Sequence, residues 1–296
     1  MAKVTIDGVR YELLKRTFTA RVDAVEREHK NMKSYTIPEE VTADGDTYHV
    51  TLIGAKAFNH CPLLEEVIIP DSVTEIESLE LVGDTSYSAF RNCTSLNSIT
   101  LPNKLTKIGT GAFNNCTGLT SITIPNSVTY LGGIYLGGFN RCTGLTSITI
   151  PNSVTELGGF NGCTGLTSVS IPNSIKTLGS FAFNDCTGLT SITIPNSVTY
   201  LDGFNRCTGL TSVIIENEEG AVKIGEYAFK GTNAKITYVG KPKDGALRIM
   251  VEVPTLLALL EGKASEQEVQ TLCLRVKDAG GDATEMEKRL KKYISK

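Results

Sequence analysis

The chain has 296 residues, 41% of them hydrophobic and 21% charged, and a formal net charge of −3. This hydrophobic share excludes wholesale disorder, the weak negative charge leaves no basic footprint for nucleic acid, and no apolar run is long enough to span a bilayer. At about 150 residues per domain, the length accommodates one large domain or two modest ones.

In chain order, Val4-Thr5-Ile6-Asp7-Gly8-Val9-Arg10-Tyr11-Glu12-Leu13 alternates around Asp-Gly, which predicts a hairpin. Residues 1–33 are read as an N-terminal cap made of that hairpin and a linker. The opening residues Met1–Gly8 lack the apolar core of a secretory signal. As written the chain is therefore expected in the cytoplasm, or at the cell surface or secreted if a leader was trimmed. Ile37-Pro38 opens a first, degenerate repeat, and Asp44-Gly45 turns into Tyr48-His49-Val50.

A repeat then takes over. Of eight cysteines, seven fall at Cys61, Cys93, Cys116, Cys142, Cys163, Cys186 and Cys207, with spacings of 32, 23, 26, 21, 23 and 21 residues. Each belongs to one sentence, F-N-x-C-T-G-L-T-S-I-T-I-P-N-S-V-T-x-L, written out in Phe113–Leu131. A period of this size is the signature of a solenoid. Its copies begin at Phe58, Phe90, Phe113, Phe139, Phe160, Phe183, Phe204 and Phe229, about eight repeats over residues 34–240. The stretch Cys116–Leu131 recurs unchanged as Cys186–Leu201, which points to recent duplication.

Within a unit, Leu119, Ile122 and Ile124 bracket Ser121 and Thr123, the period-two alternation of a strand with the hydroxyls facing out. Pro125-Asn126-Ser127 ends that strand, because Pro cannot continue a central ladder and Asn and Ser favour turns. Val128 and Leu131 point back inward. No unit buries its face alone, so neighbours must stack into a continuous apolar column, with six or seven inward side chains each contributing about 1.5–3 kcal/mol. Insertions stretch two corners, Glu77–Ser88 and Gly132–Gly138, and mark them as candidates for partner contact.

Lys235-Ile236-Thr237-Tyr238-Val239 reads as the closing strand. Beyond it, residues 241–296 are expected to add a strand and a small helical cap or docking module. Ser265-Glu266-Gln267-Glu268 forms a capping box ahead of Val269, Leu272, Cys273 and Val276 on one helical face, and Gly280-Gly281 separates a second helix.

The sentence F-x-x-C-x-x-L-x-x-I-x-I-P-x-x-V-x-x-I-G resembles the leucine-rich repeat of the BspA-like family, also called the Treponema pallidum type, over about two thirds of the chain. The resemblance implies an α+β repeat solenoid: a curved, right-handed leucine-rich-repeat coil with a parallel β-sheet on its concave face. It also implies a role in binding, since members are mostly bacterial or protist surface proteins thought to bind host or matrix proteins or other cells. It does not account for the C-terminal segment.

Catalytic chemistry finds no foothold. Zinc needs closely spaced ligands such as C-x-x-C, and no two cysteines here are nearer than twenty residues. Buried cysteines in an apolar column are expected to be free thiols behaving as small hydrophobes. The three histidines, His29, His49 and His60, all lie near the N-terminus, so no repeat face can assemble a Cys–His or Ser–His pair beyond the first coil. Phosphate-binding glycine loops are absent as well. The sequon Asn92-Cys93-Thr94 has its middle residue inward and is read as accidental. No enzyme activity, cofactor, metal or small-molecule substrate is therefore expected.

What remains is surface. Outward hydroxyls form a ladder on the concave face: Ser98 and Thr100, Ser121 and Thr123, Ser147 and Thr149, Ser168 and Ser170, Ser191 and Thr193, with Ser212 and Ile214 closing it. Extended solenoid faces bind partners, although Ser and Thr lack the bulk of the usual hot-spot anchors and also suit any solvent-facing strand. Tyr130, Arg141, Tyr200 and Arg206 stand at the more varied flanking positions and supply the missing anchors. The expected function is non-catalytic recognition of, or adhesion to, another protein. The alternative is a cytosolic adaptor or sensor whose helical tail couples recognition to an effector. Binding to ice or a crystal surface would need a flatter, uninterrupted array.

Overall fold

A computed structural model describes residues 2–78, 87–133 and 137–239. The chain divides into two units, 1–239 and 240–296. The expected helical appendage, Cys273 and most of the Glu77–Ser88 insertion lie outside the described residues, as do residues 134–136.

Alternation builds the N-terminal cap, as the hairpin signal requires. Strands β1 (Ala2–Ile6) and β2 (Val9–Leu14) pair antiparallel across Asp7-Gly8, both with positive φ, and a third strand, β3 (Thr19–Val25), pairs with β2. The sequence signal reached only the first two. In β3 the inward residues are Ala20, Val22 and Val25, two of them small or interrupted by the register shift near Arg10/Tyr11, so its alternation is faint. The outer face of this sheet is laced by Lys3 and Arg10 on Asp23, and by Arg10 on Glu26.

From residue 34 onward each coil carries two strand segments rather than one. The first is the expected S-I-T strand, seen at Ser34–Thr36, Glu66–Ile68, Ser98–Thr100, Ser147–Thr149, Ser168–Ser170, Ser191–Ile194, Ser212–Ile215 and Lys235–Tyr238, with Thr123 bridged to Thr149. The second is a two-residue rung on the other side of the Pro-Asn-Ser turn: Glu75–Ile76, Lys107–Ile108, Tyr130–Leu131, Glu156–Leu157, Thr177–Leu178, Tyr200–Leu201 and Lys223–Ile224. Every pairing between coils is parallel and in register, such as Ser147 with Ser168 and Tyr200 with Lys223. The cap joins this second ladder, since β3 runs parallel to Asp46–Ile53, which in turn pairs with Glu75–Ile76.

The interior is the expected column. The phenylalanines from Phe58 to Phe229 stack in seven steps of 5.0–5.6 Å, with ring planes within 20° of parallel. Leu64, Leu96, Leu119, Leu145, Leu166, Leu189 and Leu210 run alongside, fully buried. At its base the column meets the cap through the buried Tyr11 and Tyr35, whose hydroxyls lie 2.8 Å apart, with the Tyr35 hydroxyl also donating to the Ile6 carbonyl at 3.3 Å. Among the described residues, no helix is long and apolar enough to cross a membrane.

Candidate functional site

Many of the fixed letters of the repeat are spent on the neighbouring coil. Each thiol from Cys93 to Cys207 donates to the Phe carbonyl of the coil before, at 3.0–3.2 Å: Cys116 to Phe90, Cys142 to Phe113, Cys163 to Phe139 and so on. The same carbonyl accepts its own coil's Cys N–H, as Phe90 does from Cys93 and Phe113 from Cys116, so both lone pairs are used. The seven described cysteines are free and buried. Burial holds their thiols protonated, at about 11 for Cys61 and about 12 for Cys163 and Cys207, well above the ordinary 9.0. They are structural donors, not nucleophiles.

The polar letters behave alike. In several coils, though not in all, the Thr after Cys donates to the preceding coil (Thr117 to Thr94 O, 3.3 Å), and so do the Thr after Leu (Thr167 to Thr146 O, 3.2 Å), the turn Ser (Ser197 to Ile175 O, 2.8 Å) and the Thr after Val (Thr199 to Lys176 O, 3.2 Å). The Asn after Phe receives the next coil's N–H, Asn184 from Asn205 at 2.9 Å. In the Cys-Thr-Gly corner, a Cβ on Gly144 would sit 2.3 Å from the Thr117 carbonyl oxygen, so only glycine lets the coils close.

The two outward residues of each S-I-T strand take no part in these coil-to-coil side-chain bonds. All ten ladder hydroxyls, from Ser98 and Thr100 to Ser191 and Thr193, are exposed, and among the described residues none has a hydrogen-bond partner within the protein. Coil spacing sets successive rows about 4.8 Å apart. No charge stands at an outward strand position between Glu66 at one end and Lys235 at the other. The result is a neutral face with unspent donors and acceptors.

The four flank residues do not form one group. Tyr130 and Tyr200 project from the two-residue ladder, half-buried, with Lys107 Nζ 5.7 Å from the Tyr130 ring centre and the Tyr200 hydroxyl 3.4 Å from Asp202. Arg141 and Arg206 sit at the opposite corner, just before Cys, where the backbone is left-handed in coil after coil: His60 (φ 58°), Asn92 (62°), Asn115 (61°), Arg141 (59°), Asp185 (57°) and Arg206 (59°). Asn, Asp and Gly suit that conformation, and His and Arg adopt it at a cost. Arg206 is further held by two 2.8 Å bonds to Asp185. The recurrent turn was hidden in the sequence because Arg and His occupy three of its eight positions, although Gly162 and Gly231 at the same place mark it.

Among the described residues, no group of three or more His, Cys, Asp or Glu is placed to hold a metal ion. The edges of the Glu77–Ser88 insertion are tied down, Glu77 by Arg21 at 3.2 Å and Tyr87 beneath Lys56 Nζ at 4.2 Å from its ring centre.

Comparison with known proteins agrees with this architecture. The family model described as the BspA type leucine rich repeat region matches residues 28–133, 51–159 and 133–244, six copies in all. The chain is similar to the T. pallidum leucine rich repeat protein, with 27% identity, 69% of this chain and 89% of that one covered, and a TM-score of 0.54. It is also similar to a leucine-rich repeat protein from Bacteroides ovatus, with 27% identity, 80% and 71% covered, and a TM-score of 0.48. No curated protein matches the chain.

Proposed function

The chain belongs to the BspA-type leucine-rich-repeat family, and from that premise we propose that it is a non-catalytic recognition protein that binds another protein through its hydroxyl ladder. One observation carries the reading. The ten exposed hydroxyls recur at the same two strand positions in coil after coil, forming two rows on one face, and among the described residues none of them is bonded within the protein. Small hydroxyls admit close approach of a partner backbone or polar side chains, and the neutral face imposes no charge penalty on the partner. Tyr130 with Tyr200, and Arg141 with Arg206, are secondary anchors on two separate edges, each reachable by a partner that wraps one side of the coil.

In this reading residues 1–33 are the N-terminal cap, 34–240 the recognition solenoid and 241–296 a C-terminal docking module. The coil is right-handed and curved, with the hydroxyl ladder on its concave side. Neither nucleic acid nor a small-molecule substrate takes part.

The test is affinity capture by the immobilised full chain from host-cell, matrix and self-lysate proteins, in parallel with the triple variant Thr123→Lys, Thr149→Lys and Thr193→Lys. A defined protein should be retained by the native chain and lost by the folded variant. Equal retention by both would remove the hydroxyl ladder from the account, and capture of nothing alongside turnover of a substrate would overturn the function.

A further inference from the structure

A chain of side-chain hydrogen bonds runs up the Cys corner across three coils and has a defined polarity. The Asn59 carboxamide oxygen contacts His60 Nδ1, and an oxygen of that kind only accepts, so Nδ1 carries the proton. His60 Nε2 is then a bare lone pair, and Asn92 Nδ2 donates to it at 2.8 Å. With its amide so oriented, Asn92 presents Oδ1 to Asn115, whose Nδ2 donates at 2.9 Å. Donation therefore runs from Asn115 to Asn92 to His60 to Asn59.

The corner backbone fixes these three positions relative to one another. His60, Asn92 and Asn115 share the left-handed conformation, and their N–H groups donate to Arg91, Asn114 and Asn140 carbonyls at 2.8–2.9 Å. The backbone of the chain cannot easily turn, but the amide ends can.

We propose that His60, Asn92 and Asn115 form a proton-triggered relay, in which charging His60 reverses the chain and changes its far end from an acceptor to a donor. A proton taken from solvent at Nε2 puts two donors, Nε2–H and Asn92 Nδ2–H, face to face. Asn92 relieves this by turning its amide so that Oδ1 accepts from the imidazolium. Its Nδ2 then faces Asn115 Nδ2, and Asn115 turns in the same way to offer Oδ1. One N–H bond forms, at Nε2 with the proton taken from solvent, and every other change is in hydrogen bonds. The end beyond Asn115, toward the Arg141 corner, exchanges oxygen for N–H₂.

Two charged groups act on His60. Arg91 lies on the adjacent coil, and Lys30 follows the short turn Arg27–His29, its Nζ donating to the Asn59 carbonyl. Both are cations, and together with partial burial they favour the neutral ring, so the native polarity is the resting one and acidification reverses it.

The experiment is a side-chain NMR titration of the full chain, following imidazole and carboxamide nitrogen and proton signals. At neutral pH His60 should show the Nδ1–H tautomer. Its transition should fall below the ordinary 6.5, and the Asn92 and Asn115 carboxamide signals should move with the same midpoint. Asn92→Gly, which tolerates the left-handed backbone, should leave His60 titrating while Asn115 falls silent. His60→Asn, also suited to that backbone, should silence both carboxamides. An Nε2–H tautomer in the native protein would overturn the relay. So would an Asn115 signal that stays still through the His60 transition, or one that still moves in Asn92→Gly.

Discussion

Raising the pH should unfold this protein steeply, because its core is a column of thiols. Seven buried cysteines are all pushed above their ordinary value, mainly by desolvation, with Cys61 at about 11 and Cys163 and Cys207 at about 12. Cys93, Cys116, Cys142 and Cys186 are raised as well. A folded-state value above the unfolded one contributes stability that is fully present below the unfolded value, near 9.0, and is lost as pH rises toward the folded values. At pH 10 an unfolded thiol has gained about 1.4 kcal/mol by ionising, while its folded counterpart remains protonated. The cysteines are 21–32 residues apart in sequence, so in the unfolded chain they titrate independently. Together the seven amount to about 10 kcal/mol, comparable to the whole stability of a typical domain. Urea unfolding followed by circular dichroism, under reducing conditions between pH 7.5 and 10.5, should therefore show stability holding to about pH 8.5 and then collapsing. Tyrosine and lysine titrate in the same range, so the thiol share is isolated by the pair Cys142→Ala and Cys163→Ala. That pair should lower neutral-pH stability yet shrink the alkaline loss at pH 10 by about 3 kcal/mol, two sevenths of the thiol share. A stability that is flat from pH 8 to 10, or an alkaline slope untouched by the double substitution, would refute the reasoning.

The remaining predictions concern packing. Phe160 is fully buried between rings at 5.5 and 5.4 Å, whereas Phe229 is half-buried and has, among the described residues, one ring neighbour at 5.6 Å, so Phe160→Ala should cost about 3–5 kcal/mol and Phe229→Ala less than half as much, read from denaturant midpoints. Equal costs would contradict a stack whose interior rings serve two coils. Gly159→Ala places a Cβ 1.8 Å from Gly137 Cα at φ +96° and should cost more than about 3 kcal/mol, while Gly45→Ala at φ +86°, with nothing within 4 Å, should cost only about 1–2 kcal/mol. Tyr11→Phe leaves the buried Tyr35 hydroxyl without its 2.8 Å partner and should cost about 1–2 kcal/mol; an unchanged melting temperature would mean that this contact does not hold the cap.

Much of this was legible in the sequence, because a repeat states its core many times over. Phe, Cys, Leu, Ile and Val recur at fixed distances, and the inward side of Phe113–Leu131 follows from alternation alone. The direction of the thiol bonds was not legible, since spacing places Cys116 in a column but does not reveal that its S–H reaches back to Phe90. The second ladder escaped for a different reason: Tyr130–Leu131 is a strand of two residues, too short for any alternation to show. The ten ladder hydroxyls could be placed as outward, yet only the structure shows that Thr117, Thr167, Ser197 and Thr199 spend their hydroxyls on the preceding coil. Tyr130 and Arg141 are eleven residues apart and looked like one flank, but Tyr130 lies on the two-residue ladder and Arg141 in the left-handed turn before Cys.

The central claim, that the hydroxyl ladder is the recognition face, is tested most directly by the affinity of the captured partner for single substitutions on three sides of one coil. Thr149→Lys on the ladder should weaken binding about tenfold or more, while Thr155→Lys beside the two-residue rung and Arg141→Ala at the Cys corner should change it less than about twofold. A partner indifferent to Thr149→Lys but lost with either of the other two would place recognition on another face and contradict the account.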